Sequence, residues 1–293
     1  MNYCRRNTDH DPLLTKKGGS ASSSSSLVAE GSTGLRSFVE GRQDGPTIVF
    51  VHGWPDDHTL WDDQVAHLKY RFRCVTTDLP GFSKDAADGD KWGYGLDEVV
   101  RRLEKTVEAA GGGQPVFIIS HDWGCLYSFI LEKKRPDLVR KMVAIDVGGA
   151  IEFKPLQLLC IMSYHFWLII AFVVGGPIGD AMAQSFAWLV GAPFRSNVAK
   201  ASVCYPYYHW WKQKLCRGPK VGAMVPEVPL LFLYGTSGPK AAVPFHASWW
   251  AEEVDRKEGS ASVPMTKSSH WVTRDEPDEV RQEAISMNGR GAR

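Results

Sequence analysis

The sequence lacks any concentration of charge. Its 293 residues contain 34 Lys and Arg against 33 Asp and Glu, which leaves a formal net charge of +1. The basic residues are scattered along the chain and are not grouped on one predicted face, as they would be in a nucleic-acid-binding domain. We therefore do not expect nucleic acid as a partner.

Regular cysteine and metal-ligand spacings are also missing. The cysteines occur one per segment without a CxxC pair, which argues against a disulfide framework and favours reduced thiols in a cytoplasmic protein. The His and Cys residues show no metal-ligand spacing, and no glycine-rich phosphate-binding loop occurs, so we expect neither a metal nor a cofactor. The six cysteines are Cys4, Cys74, Cys125, Cys160, Cys204 and Cys216.

The first 34 residues contain almost no apolar side chains. A run rich in glycine and serine occupies residues 18–26. Such a segment cannot bury enough apolar surface to offset the entropy of ordering, so residues 1–34 are predicted to form a disordered tail. The segment also lacks the apolar centre of a secretory signal, and its mixture of Asp, Lys and Arg fits a transit peptide poorly.

Long uncharged runs are scarce, with one exception at residues 155–179. Its length is sufficient to cross a bilayer. Polar side chains such as Ser163 and His165 interrupt it, however, and its two flanks resemble halves of one soluble domain. We favour a buried or membrane-facing lid helix over a membrane span, and we expect that any membrane contact is peripheral.

Residues 120–125, Ser-His-Asp-Trp-Gly-Cys, are the most informative stretch. They follow an apolar run at 115–119 that predicts a buried strand, and they precede a run at 126–131 that predicts a helix. Small residues two before and two after the turn are typical of a nucleophile elbow. The central residue is Asp122, and a carboxylate that attacks an sp3 carbon forms an ester that water can then hydrolyse. The alternative is a carboxylate that merely caps the helix beginning near Trp123.

The remaining pattern predicts strands that alternate with helices, which implies an α/β protein with a mostly parallel sheet. A helix at 96–110 ends at three glycines. Residues 151–225 lack the alternation and are predicted to form a helical cap over the carboxyl ends of the strands. The predicted sheet core comprises residues 35–150 and 226–286, with a last helix at 278–286 and a tail at 287–293. Further strands are predicted at 47–51, 72–77, 141–147, 229–234 and 261–265.

His270 is the candidate base. It follows Asp122 by 148 residues and lies after the predicted last strand, and this order of nucleophile and histidine is that of α/β-hydrolases. From residue 35 to 285 the chain resembles the epoxide hydrolase and haloalkane dehalogenase branch of that superfamily. The motifs that carry the resemblance are His52-Gly53-Trp54-Pro55, Asp78-Leu79-Pro80-Gly81-Phe82-Ser83, Ser120-His121-Asp122-Trp123-Gly124 and Ser269-His270-Trp271.

The resemblance implies an α/β-hydrolase fold and a two-step reaction. Asp122 would attack the substrate carbon, and His270 would activate the water that hydrolyses the resulting ester. The backbone N–H groups of Trp54 and Trp123 would stabilise the oxyanion. In the family, the position of His52 shapes the oxyanion loop, so we expect a structural role for this residue.

The third carboxylate departs from the family pattern. Members of the family usually place it a few residues after the strand that ends here at Tyr234-Gly235, but no carboxylate occurs from there to Glu252. A histidine base needs an acceptor on its other ring nitrogen. We expect Asp146, at the end of an earlier strand, to supply it, as the equivalent position does in some related hydrolases. The alternative is a strand-end aspartate that only binds loop amides.

Cap tyrosines distinguish the two activities of the branch, because an epoxide needs its leaving oxygen protonated. In epoxide hydrolases one tyrosine comes early in the cap and another near its end. Tyr164 fits the first position, and Tyr205, Tyr207 and Tyr208 compete for the second. Pro206 breaks the local helix pattern and leaves the choice among the three open.

Epoxide hydrolysis of a lipophilic substrate is the favoured interpretation, because the cap is aromatic and apolar. A haloalkane dehalogenase is the first alternative, since the indole N–H groups of Trp54 and Trp123 could bind a halide. The second alternative is a degenerate hydrolase that serves as a binding protein, because the usual acid is absent.

Overall fold

In the computed structural model, described for residues 25–26, 34–82, 90–192, 199–216, 222–238 and 243–289, the core is an eight-stranded sheet. The strand order is β1-β2-β4-β3-β5-β6-β7-β8. The β2 strand is antiparallel to both neighbours, and the pairs from β4 to β8 are parallel. The strands are β1 (Ser25–Ser26), β2 (Arg36–Gly41), β3 (Thr47–Val51), β4 (Arg73–Asp78), β5 (Val116–His121), β6 (Val139–Ile145), β7 (Leu230–Gly235) and β8 (Ala261–Met265).

Helices cover both faces of the sheet, which explains why its central strands are apolar along their whole length. In β3, for example, Val49, Phe50 and Val51 are fully buried. Short 3-10 helices lie at His58–Trp61, Pro136–Leu138 and Ala201–Cys204. The α-helices are α1 (Asp62–Leu68), α2 (Leu96–Gly111), α3 (Trp123–Lys134), α4 (Pro155–Val174), α5 (Gly176–Leu189), α6 (Tyr205–Leu215), α7 (Ser248–Asp255), α8 (Val272–Asp275) and α9 (Pro277–Gly289).

Strands β3 and β8 have the predicted bounds, β4 and β7 are shifted by one residue, and β5 and β6 differ more, where the backbone turns. The β5 strand continues to His121, next to the elbow, and β6 ends at Ile145 instead of 147. The reason for the second difference is Asp146, whose φ of 72° takes the backbone out of the extended region.

The chain termini also depart from prediction. Ser25–Ser26 pairs with β2, although the sequence predicts a disordered tail there. Pairing at a sheet edge uses backbone groups alone, so two serines suffice. Helix α9 runs to Gly289 and includes part of the predicted tail. The rest of the predicted N-terminal tail up to 33, Ser83 of the second motif, and residues 290–293 lie outside the described residues.

Helices α4, α5 and α6 and the 3-10 helix at 201–204 form the insertion between β6 and β7. Among the described residues α4 is the one helix long and apolar enough to cross a membrane, judged by length and composition alone. One face of α4 nevertheless packs on α5 and α6. The sequence pattern suggested that Pro206 breaks the local helix, but α6 includes it. Pro206 lies in the first turn, where no helical N–H bond is lost.

Candidate active site

Asp122 occupies the sharp turn between β5 and α3. Its φ of 51° and ψ of −124° are rare for a residue with a side chain, and such strain is typical of functional positions. The turn requires Gly124, since a Cβ there would come within 2.6 Å of the His52 carbonyl oxygen. The Asp122 side chain accepts no capping hydrogen bond from the second or third amide of α3, so the structure does not support the capping alternative.

The two carboxylate oxygens of Asp122 have different surroundings. Oδ2 accepts the backbone N–H of Trp54 at 2.8 Å, and the backbone N–H of Trp123 also donates to the carboxylate. Oδ1 lies 3.8 Å from Nε2 of His270. Gly53 allows the close approach, because a Cβ there would lie 2.5 Å from both Cβ and Oδ2 of Asp122. Oδ1 is therefore the oxygen positioned for attack.

Burial raises the pKa of Asp122 above its ordinary value. His270 and the amides of Trp54 and Trp123 act in the opposite direction, because they favour the ionised form. The charge of the buried carboxylate is thus compensated by His270 beside Oδ1 and by backbone amides, including that of Trp54 at Oδ2. Weak solvation increases the reactivity of an anionic nucleophile in such a site.

His270 contacts the third carboxylate. Its Nδ1 is hydrogen-bonded to Oδ2 of Asp146, which is fully buried at the end of β6. The other oxygen, Oδ1, accepts the backbone N–H of Gly235 at 3.2 Å. Gly235 ends β7, close to where the family usually carries its acid. The structure therefore brings Asp122, His270 and Asp146 together, and Asp146 also binds a loop amide.

His52 connects two loops beneath the elbow. Its Nε2 accepts the backbone N–H of Leu79 at 3.0 Å, and its Nδ1 lies 2.8 Å from the Gly53 carbonyl. With Nε2 acting as the acceptor, Nδ1 carries the proton and donates. The histidine holds the loop that carries Trp54 and does not face Asp122 itself.

Two of the four candidate cap tyrosines lie close enough to Asp122 for its charge to act on their phenols. Tyr164 of α4 and Tyr207 of α6 lie with ring centroids 6.1 Å apart, and the charge of Asp122 acts on both phenols. Burial is the main reason that both pKa values lie above the usual tyrosine range. Both phenols therefore keep their protons and can act as donors.

The other two candidates point elsewhere. Tyr205 packs against Phe82 and Tyr94 beneath the cap. Tyr208 stacks on Trp92 with a centroid distance of 6.2 Å. These contacts are those of packing residues, so the structure separates the three neighbouring tyrosines that the sequence left equivalent.

His165, which the sequence offers only as a polar residue within the apolar run 155–179, is hydrogen-bonded to the hydroxyl of Tyr164. His165 accepts the indole N–H of Trp211 at Nδ1, at 3.0 Å, and its Nε2 lies 3.1 Å from the Tyr164 hydroxyl. Burial lowers the pKa of His165 to about 3, so the ring is neutral near pH 7. The proton must then be on Nε2, which donates to Tyr164 and leaves the tyrosine O–H available as a donor.

The indole N–H groups of Trp54 and Trp123 lie beside cap residues. Trp123 donates to the Tyr207 phenol, whereas Nε1 of Trp54 is buried near the Cys204 thiol without a hydrogen-bond partner among the described residues. Tyr207 is thus supported like Tyr164, by an N–H that occupies its acceptor side.

Asp56 is a buried acid that sequence reasoning missed, although it directly follows the His-Gly-Trp-Pro motif. Its Oδ2 accepts the indole N–H of Trp271 at 3.0 Å and lies 4.0 Å from Nδ1 of His121. Burial is the largest cause that raises its pKa to about 7, and the charges of His270 and Asp122 also act on it. Asp56 is therefore a titratable group close to the candidate catalytic residues.

Comparison with known proteins supports this fold. A family model described as the alpha/beta hydrolase fold matches residues 46–168. "Probable oxidoreductase EphD" of Mycobacterium tuberculosis is 36% identical over 101 residues, which cover 34% of this chain and only 17% of the length of that protein. "Epoxide hydrolase 1" of Caenorhabditis elegans is 22% identical over 272 residues, covering 83% of this chain and 64% of the relative.

Solved structures extend the likeness over most of the chain. An epoxide hydrolase from Bacillus megaterium superimposes with a TM-score of 0.68 at 17% identity, covering 87% of this chain and 96% of that one. A haloalkane dehalogenase variant from Bradyrhizobium elkanii gives 0.65 at 15% identity, covering 88% and 94%. The resemblance predicted from the motifs is confirmed at the level of the fold.

Proposed function

Since the chain has the alpha/beta hydrolase fold, we propose that it hydrolyses epoxides to vicinal diols through a covalent ester of Asp122. The observation that carries the proposal is the closeness of two buried cap phenols, Tyr164 and Tyr207, to Asp122, whose charge acts on both. A nucleophile on one side and two O–H donors on the other match the needs of an epoxide, which must be attacked at carbon and protonated at oxygen.

In the first step Oδ1 of Asp122 attacks one ring carbon. A bond forms between Oδ1 and this carbon as the bond between the same carbon and the epoxide oxygen breaks, and the electron pair of the broken bond goes to the epoxide oxygen. Tyr164 or Tyr207 transfers its proton to this oxygen. The products of the step are a hydroxyalkyl ester of Asp122 and a tyrosinate held by its N–H donor.

In the second step Nε2 of His270 removes a proton from water as the water oxygen attacks the ester carbonyl carbon. The carbonyl oxygen is then the former Oδ2, which accepts the N–H of Trp54, and the N–H of Trp123 also acts on this carboxylate. These donors stabilise the oxyanion, and loss of one such donor typically costs about 100- to 1,000-fold in rate. Collapse of the intermediate releases the diol and restores the carboxylate, and the proton on His270 returns to the tyrosinate through solvent.

Asp146 would hold His270 in the tautomer that accepts a proton at Nε2 and would stabilise the imidazolium that forms. Its contact to Nδ1 supports this role. The aromatic side chains around the two tyrosines, including Phe186, which stacks on Tyr164 at 5.0 Å, favour a lipophilic substrate.

The test is a trapping experiment on His270→Gln. This variant should attack but not hydrolyse, so incubation with a panel of epoxides should add the mass of the epoxide to the peptide that contains Asp122. Asp122→Asn is the matched control and should give no adduct. The wild-type protein should form diols from the same panel.

The other candidate activities give different results. Halide release from haloalkanes without diol formation would reverse the ranking in favour of a dehalogenase, whose fold this chain shares equally. No adduct with any epoxide or haloalkane would favour a binding protein.

A further inference from the structure

The outer face of the cap is apolar and unusually exposed. We call it the cap face and define it by six of the eight large apolar side chains of α4 and α5 that are each at least half exposed. On α5, Trp188 is 73% and Ile178 is 70% exposed. Singly exposed apolar residues are ordinary, but a contiguous set on a helix pair marks an interaction site. The six are Leu156, Leu159, Ile170, Val173, Ile178 and Trp188.

We propose that the cap face docks on the surface of an anionic lipid bilayer, with α4 and α5 lying in the interface and not crossing the membrane. The first support is hydropathy: an 18-residue window of α4 averages 2.0, and residues 155–179 contain no charged side chain. A face of this composition matches the acyl boundary of a bilayer, where no polar partner is required.

Charge complementarity is the second support. Residues 151–225 contain seven basic residues against two acidic ones, although the whole chain is nearly neutral. One of the two acids, Asp180, is bound to the backbone N–H of Ala201 at 2.7 Å. Lysines beside an apolar face are the usual determinants of binding to anionic lipids.

Three lysines of the cap lie on or next to the helices that carry or contact the cap face. Lys154 directly precedes α4. Lys212 and Lys214 are exposed on α6, beside Trp211, whose ring stacks on Phe166 of α4 at 5.5 Å. Long lysine side chains at such an edge can reach the headgroups while the apolar face is immersed. A second copy of the chain docked on the same face would instead bring like charges together.

The inner face of α4 argues against a membrane span. It carries Tyr164 and His165, and His165 is hydrogen-bonded to Trp211 of α6. Insertion of α4 across a bilayer would break this contact and expose two polar side chains to lipid. Docking of the outer face leaves the inner face unchanged, and the surface proposal stands without the proposed hydrolase activity.

The test is vesicle flotation of the full-length chain. Binding should be strong to phosphatidylcholine vesicles that contain about 30 mol% of the anionic lipid phosphatidylglycerol, and weak to vesicles of phosphatidylcholine alone. Ile170→Glu combined with Val173→Glu should reduce partition at least about tenfold, because two charges enter the apolar contact. Lys212→Gln combined with Lys214→Gln should reduce binding to the anionic vesicles only, by roughly fivefold per lysine.

Tyr70→Glu is the matched control, since Tyr70 is 76% exposed but lies outside the cap, in the connection between α1 and β4. It should bind like wild type. Circular dichroism and thermal unfolding must show that all variants are folded. Cys160, exposed on α4, can carry a polarity-sensitive fluorophore after Cys4→Ser and Cys216→Ser substitution, and its emission should shift to the blue on vesicle binding.

Three results would overturn the proposal. The first is no flotation with either vesicle, or flotation that the two glutamates leave unchanged. The second is a stable dimer in solution that Ile170→Glu dissociates, which would assign the face to a second copy. The third is resistance of the bound protein to extraction at alkaline pH, with Cys160 quenched by probes at the bilayer centre, which would make α4 a membrane span.

Discussion

The indole N–H of Trp211 donates to Nδ1 of His165 at 3.0 Å, and this contact determines which ring nitrogen of the histidine carries the proton. The proton on Nε2 then faces the hydroxyl of Tyr164, 3.1 Å away. Two helices of the cap thus cooperate to orient one phenol, because α6 carries the tryptophan and α4 carries the histidine and the tyrosine. The link makes His165 and Trp211 positioning residues for the proposed ring opening.

Replacing Trp211 with Phe should therefore slow ring opening. Without the indole donor the histidine can place its proton on Nδ1, and Tyr164 then donates to Nε2 and not to substrate. We expect about a tenfold decrease in the single-turnover rate of ester formation, the equivalent of one hydrogen bond, with ester hydrolysis unchanged. Nitrogen NMR of labelled histidine should show the change of tautomer. Trp167→Phe, which removes a similar indole donor to Met182 on the outer side of the cap, should alter neither.

The cap tyrosines should separate into two groups on substitution by Phe. Tyr164→Phe and Tyr207→Phe remove donors that face Asp122, and each should lower epoxide turnover by about 100-fold or more. Tyr208→Phe should have little effect, because that ring packs against Trp92 at the edge of the cap. Steady-state diol formation measures all three. A loss with Tyr208→Phe as large as with Tyr207→Phe would mean that the assignment of the second donor is incorrect.

Asp146→Asn should impair the second half of the reaction more than the first. An amide can hold the wrong tautomer of His270, and the equivalent change in serine proteases costs about 10,000-fold. The Asp122 ester should therefore accumulate in rapid-quench mass spectra. Glu132→Gln is a matched control, since Glu132 is also a buried carboxylate that accepts loop amides, at Glu227 and Val228, but lies outside the site. Equal turnover of the Asp146→Asn variant and the wild type would exclude the proposed role.

Gly53→Ala should abolish activity without a comparable loss of stability. The new Cβ would lie 2.5 Å from Cβ and Oδ2 of Asp122, so the carboxylate would leave the N–H of Trp54. We expect at least a 100-fold loss, as for removal of an oxyanion donor. Gly222→Ala, where no atom lies within 4 Å of the added Cβ, should behave like wild type. Full activity of Gly53→Ala would contradict the prediction, because it would show that the loop carrying Trp54 can move without loss of activity.

Asp56 should make stability depend on pH near neutrality. Its pKa in the folded protein is raised to about 7 by burial, from an ordinary value of 3.8. The folded state thus favours the protonated form of Asp56. The resulting contribution to the free energy of unfolding is fully present below about pH 4 and is lost as the pH rises to about 7. Over this pH interval the free energy of unfolding of the wild type should fall by up to a few kcal/mol relative to that of Asp56→Asn. The reason is that a shift of one pKa unit corresponds to about 1.4 kcal/mol. Urea unfolding of both proteins from pH 4 to pH 8 measures the difference, and a constant difference would contradict the prediction.

Local sequence patterns predicted much of the fold because they depend on neighbours along the chain. The apolar run of β3 and the run of β8 have the predicted bounds. The small residues around Asp122 predicted its turn, since the tight approach to β3 excludes larger side chains. The bounds of β6 were less accurate, because the positive φ of Asp146 depends on contacts from β7.

The sequence by itself determined the order of the motifs along the chain and the position of Asp122 at the elbow. It also indicated His270 and Asp146 as a candidate hydrogen-bonded pair. Only the tertiary structure decided that Tyr207, and not Tyr205 or Tyr208, lies where the charge of Asp122 acts on its phenol. It also decided that Trp211, His165 and Tyr164 form one chain of hydrogen bonds. The physical reason is range. A turn or an apolar run is specified by residues a few positions apart, whereas the direction of a side chain across the cap depends on helices that meet only after the chain has folded.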